Sequence, residues 1–234
     1  MAALRLKGLK TLNLAPLDLT LAAGELVLLS GPSGSGKSLL LRALADLDPH
    51  AGEVWLEDRA CSSWPAPEWR RRVGLLPAES YWWFDRVGDH FERVPAGVIG
   101  TDRGRCEPNL AQGCGQATSA LLARLGFPPE VLEWTVTRLS TGERQRLALA
   151  RLLAIQPQVL LLDEATANLD PPNRDRVEAL IQDYRRDQAA AVLWVSHDPE
   201  QRRRLTMPVP GLVGARRLVI QGNRLVAERE GPDV

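Results

Sequence analysis

Apolar and polar positions fall into three patterns along this chain. Leu17, Leu19 and Leu21 alternate with polar residues, and Glu53-Val54-Trp55-Leu56-Glu57 alternates again, the period of a strand with one buried face. Residues 4–29 therefore predict strands with turns at Ala15-Pro16 and Ala22-Ala23-Gly24. Other runs are apolar throughout: Leu26 to Leu29, Val73 to Leu76, Val159 to Leu162 and Ala191 to Val195. Such runs predict strands buried on both faces, as in a parallel sheet covered by helices. Helix formers fill Leu39 to Leu44 and Gln116 to Leu125, the second run stopped by Gly126-Phe127-Pro128-Pro129. Behind Ser140, Leu147, Ala150, Leu153 and Ala154 recur at helical spacing, and Arg217 to Val226 predicts a hairpin around Gly222-Asn223. The expectation is a single α/β domain over 1–234: a catalytic core over about 1–77 and 139–234, and a mostly helical subdomain over about 78–138.

Between the first buried run and the first helix lies Gly31-Pro32-Ser33-Gly34-Ser35-Gly36-Lys37-Ser38, which fits G-x-x-x-x-G-K-[ST]. Strand, glycine loop and helix together make a phosphate cradle, because loop N–H groups and the exposed N–H groups of a helix start face one anion. Lys37 would meet the β/γ-phosphates as a point charge and the Ser38 hydroxyl would bind Mg²⁺. Two more buried strands end in polar groups, one in Asp163-Glu164 and one in Ser196-His197. Ligands of open α/β sheets bind at the carboxyl ends of strands, so the three ends should open onto one crevice. Ser140-Thr141-Gly142-Glu143 matches S-x-x-E, which on its own predicts an ordinary capping box.

Composition narrows the function classes. The chain has 234 residues, 44% hydrophobic and 25% charged, with a formal net charge of zero, so a strong electrostatic case for nucleic acid is absent and only arginine clusters could form local basic patches. Arg70-Arg71-Arg72 and Arg202-Arg203-Arg204 read as solvated helix faces. Only Lys7, Lys10 and Lys37 are lysines among 29 basic residues, yet one stands where the phosphate loop needs it. Cys61, Cys106 and Cys114 form an odd set without C-x-x-C spacing, which suits a reducing compartment rather than a disulfide framework or a zinc site. Charge interrupts Met1 to Lys7 before the apolar core of a signal peptide can build, and no run approaches the roughly 20 apolar residues of a membrane span. A membrane role would therefore require docking on another protein.

The order of motifs, namely the phosphate loop, LSTGE at 139–143, LLLDEATANLD at 160–170 and VSH at 195–197, resembles the ATP-binding cassette (ABC) ATPases. The resemblance implies a P-loop NTPase of ABC type, with a mainly parallel central sheet, an N-terminal antiparallel β subdomain and a helical subdomain. It implies that Gly31, Pro32, Ser33, Gly34, Ser35, Gly36, Lys37, Ser38 and Leu39 bind ATP, that Ser38 and Asp163 hold Mg²⁺, and that Glu164 is the general base. His197 would contact the γ-phosphate, Asp170 would organise contacts with a second subunit, and Ser140 and Gly142 would bind the γ-phosphate held by that subunit. The working unit would be a homodimer or a paired cassette that drives a separate integral membrane permease. Its place would be the cytoplasmic face of the membrane.

Three positions depart from the family pattern. Ala78 stands where the family has a glutamine that touches Mg²⁺, with Glu79 one residue on as a substitute oxygen ligand. Residues 1–54 contain no aromatic to stack on a base, which leaves Leu12 or Leu14. Thr141 and Glu143 replace a glycine and a glutamine of the signature. Tyr81-Trp82-Trp83-Phe84, with Phe91, holds 5 of the 12 aromatics and has two readings, a small core or a docking surface for the permease. A soluble ABC ATPase unconnected to transport and a weakly hydrolysing regulatory module are the alternatives to a transport ATPase.

Overall fold

The computed structural model describes residues 2–92 and 118–228. In chain order these form β1 (Ala2–Thr11), β2 (Leu14–Ala22), β3 (Leu26–Ser30), α1 (Lys37–Leu44), β4 (Ala51–Leu56), β5 (Arg59–Ala60), α2 (Ala66–Arg72), β6 (Val73–Leu76) and α3 (Asp89–Glu92). Helix α4 (118–124) follows, then α5 (Thr141–Ala154), β7 (Val159–Asp163), α6 (Pro171–Gln188), β8 (Ala191–Val195), α7 (Pro199–Leu205), β9 (Ala215–Gln221) and β10 (Arg224–Ala227). No helix among the described residues is long and apolar enough to cross a membrane. Cys106 and Cys114 lie outside the described residues.

The described residues gather into two compact units, the first from Met1–Pro77, Gln158–Ala165 and Asp183–Val234, the second from Ala78–Pro157 and Thr166–Gln182. The first unit breaks off at Pro77 and resumes at Gln158, and α5 belongs to the second unit, tied there by its own side chains. Arg146 donates to the Leu125 carbonyl at 2.5 Å, and Ser80 donates to Gln145 Oε1 at 2.6 Å.

In the first unit β2, β1, β4 and β5 form an antiparallel sheet in that order, and the second sheet runs β10-β9-β3-β8-β7-β6. β3, β6, β7, β8 and β9 are parallel to their neighbours, and β10 closes the edge antiparallel to β9 around the Gly222-Asn223 turn. The uninterrupted apolar runs are accordingly the central strands: every residue of β3, β7 and β8 is buried. β2 alternates as its sequence predicts, with Leu17, Leu19 and Leu21 inward. These leucines meet Leu4, Leu6 and Leu9 of β1, Leu40, Leu41 and Leu44 of α1 and Val27, Leu29, Leu193 and Val195 of the second sheet in one core. Each fully buried leucine contributes about 1.5–3 kcal/mol of transfer free energy, which fixes α1 at the end of β3. Trp69 of α2 is fully buried there and donates its indole N–H to the Leu44 carbonyl at 2.9 Å.

One turn differs from the sequence reading. Ala15 and Pro16 lie inside β2, and the chain reverses at Leu12-Asn13. β2 is an edge strand whose pairing with β1 shifts register between Leu9 and Thr11, so a proline without an N–H is accommodated where no ladder bond is required.

Candidate active site

Three adjacent strands of the second sheet, β3, β8 and β7, end side by side. β3 runs into the loop Gly31 to Gly36, where Gly34 and Gly36 have φ of 74° and 99°. Gly36 holds the N-cap position of α1 without a side-chain cap, which leaves the first amides of the helix for an anion. At Gly31, with φ 147°, a Cβ would fall 3.1 Å from the Ile220 carbonyl oxygen and 3.1 Å from Ser35 Oγ. This position therefore admits glycine only. Ser35 Oγ is buried with no hydrogen-bond partner among the described residues.

Lys37, 6% exposed, donates from Nζ to the carbonyls of Gly31 at 2.9 Å and Pro32 at 2.8 Å. Burial lowers its pKa below the ordinary lysine value, opposed by the negative charges of Glu164 and Asp163. Asp163 is buried at the end of β7. Glu164 follows with φ 51°, its N–H donating to the Val195 carbonyl at 3.1 Å, so this backbone joins the ends of β7 and β8. Glu164 Oε1 lies 3.2 Å from His197 Nε2. His197 is held between two fixed points. Ser196 donates its N–H to Leu29 and its hydroxyl to Gln201, while Asp198 caps α7 by accepting from the N–H groups of Glu200 and Gln201.

A cavity of about 240 Å³ is lined by Ser33, Gly34, Gly36, Lys37, Ser38, Leu39, Glu164, His197 and Asn13. The crevice expected at the strand ends is present, and its lining includes the expected Glu164 and His197. Asn13 was not legible as a site residue. Its Nδ2 donates to the Gly34 carbonyl at 3.2 Å, a contact across 21 positions that no local pattern signals. The glycine cradle, the ammonium and the uncapped helix start suit a polyphosphate. Among the described residues no group of three or more His, Cys, Asp or Glu side chains is placed to hold a metal ion. The Ser38 hydroxyl and the Asp163 carboxylate offer hard oxygens of the kind that Mg²⁺ takes.

The remaining expected site residues lie in the second unit. Ser140 Oγ accepts from the Glu143 N–H at 3.3 Å, and the Glu143 carboxylate accepts from the Ser140 N–H at 2.8 Å, a complete capping box on α5. Thr141 is exposed, so its Cβ meets no obstacle, whereas a Cβ on Gly142 would fall 3.0 Å from the Asn168 carbonyl oxygen. Asp170 is exposed and accepts from Asn173 Nδ2 at 2.6 Å at the start of α6. Burial pushes the Glu143 carboxyl up, but the Ser140 N–H and hydroxyl pull it further down, leaving it below the ordinary carboxylate value. Its contribution to stability is therefore present above the unfolded pKa and is lost as pH falls through the lowered one. Ser140→Ala should cost about 1 kcal/mol. That corresponds to a melting temperature lower by roughly 2–4 °C, checked by thermal unfolding at neutral pH; an unchanged melting temperature refutes it.

The aromatic segment of this unit divides between its two readings. Trp82 and Phe84 are half-buried against the His90 ring at 4.7 and 5.0 Å between centroids, while Tyr81 and Trp83 are 73% and 63% exposed. Arg151 lies over the Trp82 and Trp83 rings at 4.9 and 4.7 Å and bonds the Tyr81 carbonyl.

Residues 14–167 match a family model described as ABC transporter. A lipoprotein-releasing system ATP-binding protein, LolD, of Anaeromyxobacter dehalogenans is 38% identical over 78% of this chain and 75% of its own length. An Escherichia coli protein named "Probable iron export ATP-binding protein FetA" is 34% identical over 79% of this chain and 78% of its own. Among solved structures, a dimeric ATP-binding cassette in a post-hydrolysis state, bound to ADP and phosphate, superposes with a TM-score of 0.76. That match has 22% identity and covers 97% of this chain and all of the other.

Proposed function

Because the chain belongs to the ABC transporter family and is an ATP-binding, ATP-hydrolysing subunit within it, we propose that its residues divide the work between a cis half-site and a trans contribution. Residues Gly31 to Leu39 hold the triphosphate of ATP, Lys37 by charge and the loop by backbone N–H groups. Glu164 accepts a proton from the attacking water, and His197 holds that carboxylate and meets the γ-phosphate. Ser38 and Asp163 would hold Mg²⁺, which when bound neutralises charge on the phosphates. Support comes above all from one observation: Glu164 and His197 stand 3.2 Å apart on the wall of the cavity that Lys37 also lines. Release of phosphate from ATP by the purified chain, abolished by chelating Mg²⁺, tests the reading. Tight ATP binding without phosphate release overturns it.

The trans contribution comes from a second copy or a paired cassette. Its Ser140 and Gly142, at a helix start, bind the γ-phosphate, and its Asp170 organises the joint. Gly142 suits this role because its packing against Asn168 already excludes a side chain. The dimer drives an integral membrane permease, a separate chain, and works peripherally at the cytoplasmic face of the membrane. Tyr81 and Trp83, exposed beside Arg151, supply aromatic and cationic surface suited to that permease. Transport by relatives named for lipoprotein release and iron export makes a transported cargo the fitting use of the hydrolysis.

Glu79 takes over as an oxygen ligand beside Ala78, since both are exposed in a bend directly after β6. Glu79→Ala should lower Mg²⁺-dependent turnover about tenfold while leaving the melting temperature in place. Unchanged turnover across a Mg²⁺ titration excludes the role.

A further inference from the structure

We infer that Arg202, strapped to Glu228 at the end of the C-terminal hairpin, is a positioning residue that holds His197 against Glu164. This rests on reading Glu164 and His197 as the pair that acts on the attacking water and the γ-phosphate. The His197 side chain is 45% exposed and meets Glu164 Oε1 at 3.2 Å. Where its ring points is therefore set by the backbone beneath it. The residue before it, Ser196, is 4% exposed and has every polar atom engaged. Its N–H donates to the Leu29 carbonyl at 3.1 Å, and its hydroxyl donates to Gln201 at 2.5 Å and accepts from the Asp198 N–H at 3.2 Å. Its carbonyl accepts from Arg202 Nη1 at 3.0 Å. That carbonyl shares one rigid peptide plane with the His197 nitrogen. A guanidinium bonded to it stops the plane from turning, and a turn of the plane would change φ at His197 and swing the ring.

Glu228 fixes the guanidinium in turn. Arg202 Nη2 donates to Glu228 Oε1 at 3.1 Å, so the two ends of the planar fork are tied to different parts of the fold. Glu228 follows β10, and its N–H donates to the Arg217 carbonyl at 3.0 Å, which extends the β9–β10 ladder by one bond. β9 lies beside β3, with Leu218 opposite Leu29. The contacts thus close a ring, from Leu29 to Ser196, Arg202, Glu228 and back through β9 to Leu29. Stability alone does not account for this ion pair. Its side chains are only 11% and 22% exposed, and Arg202 Nε and Glu228 Oε2 are buried with no hydrogen-bond partner among the described residues. Desolvation offsets much of the attraction in such a pair, and each buried group left over adds a cost. What the pair supplies is direction, aimed at the peptide bond that carries His197.

Turnover of the full chain, paired with its ATP affinity by equilibrium dialysis, tests this. Arg202→Met is expected to lower kcat by roughly tenfold to 100-fold, the effect of misplacing a reacting group by about an ångström. The Kd for ATP should stay within about threefold, because the phosphate loop is untouched. The double variant Arg202→Met/Glu228→Met leaves no buried carboxylate unpaired, so it should melt at or above the temperature of the single variant. Its kcat should nevertheless stay low, since the Ser196 carbonyl still lacks its donor. A kcat that recovers together with the melting temperature overturns the inference, because the pair would then be structural only. A folded Arg202→Met chain with wild-type kcat, or one that loses kcat and ATP affinity in parallel, overturns it as well. Should Arg202→Met fail to fold, Arg202→Lys decides: it keeps the charge beside Glu228 but not the fork that spans both acceptors. Lower kcat at unchanged Kd then supports the inference, and wild-type kcat overturns it. A wild-type chain that binds ATP and releases no phosphate would instead overturn the reading of Glu164 and His197, and the inference with it.

Discussion

Glu164→Gln is expected to lower ATP turnover by about 10²–10⁴-fold, the range over which a positioned general base contributes, while ATP still binds. Glutamine keeps the shape of the side chain and an oxygen that can accept from His197 Nε2, now 3.2 Å from Glu164 Oε1. What it loses is the capacity to take a proton, since an ionised carboxylate accepts at both oxygens and an amide does not. The backbone under this residue is fixed by the ladder bond from Glu164 N–H to Val195 and by a left-handed φ of 51°, so the variant side chain starts from the same place. The substitution also removes a negative charge from beside Lys37 and the phosphates, which favours retention of ATP. If the second copy closes on that ATP, gel filtration of the variant should show an ATP-dependent dimer that persists because hydrolysis no longer ends it. A turnover loss below tenfold would exclude Glu164 as the base.

The parts of this site that local pattern reveals are those built from consecutive residues. The phosphate loop, the carboxylates ending β7 and the Ser140 capping box each span eight residues or fewer. Their physics is short-range: a backbone that must turn, a strand that ends, a helix start that needs acceptors. The α/β class follows from the same source, because short apolar runs bounded by turn residues, such as Val159 to Leu162, suit strands buried on both faces. Long-range packing stays hidden. Asn13 enters the site through one amide bond to Gly34 across 21 positions, and Pro16 suggests a turn where the fold has an edge strand. The attachment of α5 to the second unit depends likewise on Arg146 reaching Leu125 and on Ser80 reaching Gln145, partners that only the folded chain brings together.

Lys37→Ala is expected to weaken ATP binding by at least about 100-fold and to take turnover below detection. The size follows from what the ammonium does in a buried place. It is the only lysine or arginine among the described residues lining the cavity, and it faces two carboxylates, Glu164 and Asp163. A triphosphate brought there without it meets the two carboxylates with no ammonium to offset them. Charge-assisted hydrogen bonds are roughly twice as strong as neutral ones, and no other lysine or arginine among the described residues lining the cavity stands in for the one lost. The glycine N–H groups remain in the variant, so the residual affinity measures the backbone cradle alone. Lys37→Met, which keeps the apolar stem, separates charge from packing: the Gly31 and Pro32 carbonyls lose their donor in both variants. The two should bind ATP equally weakly, while Met preserves more of the melting temperature. Binding restored in Lys37→Met would mean that the stem, and not the ammonium, is what this site requires.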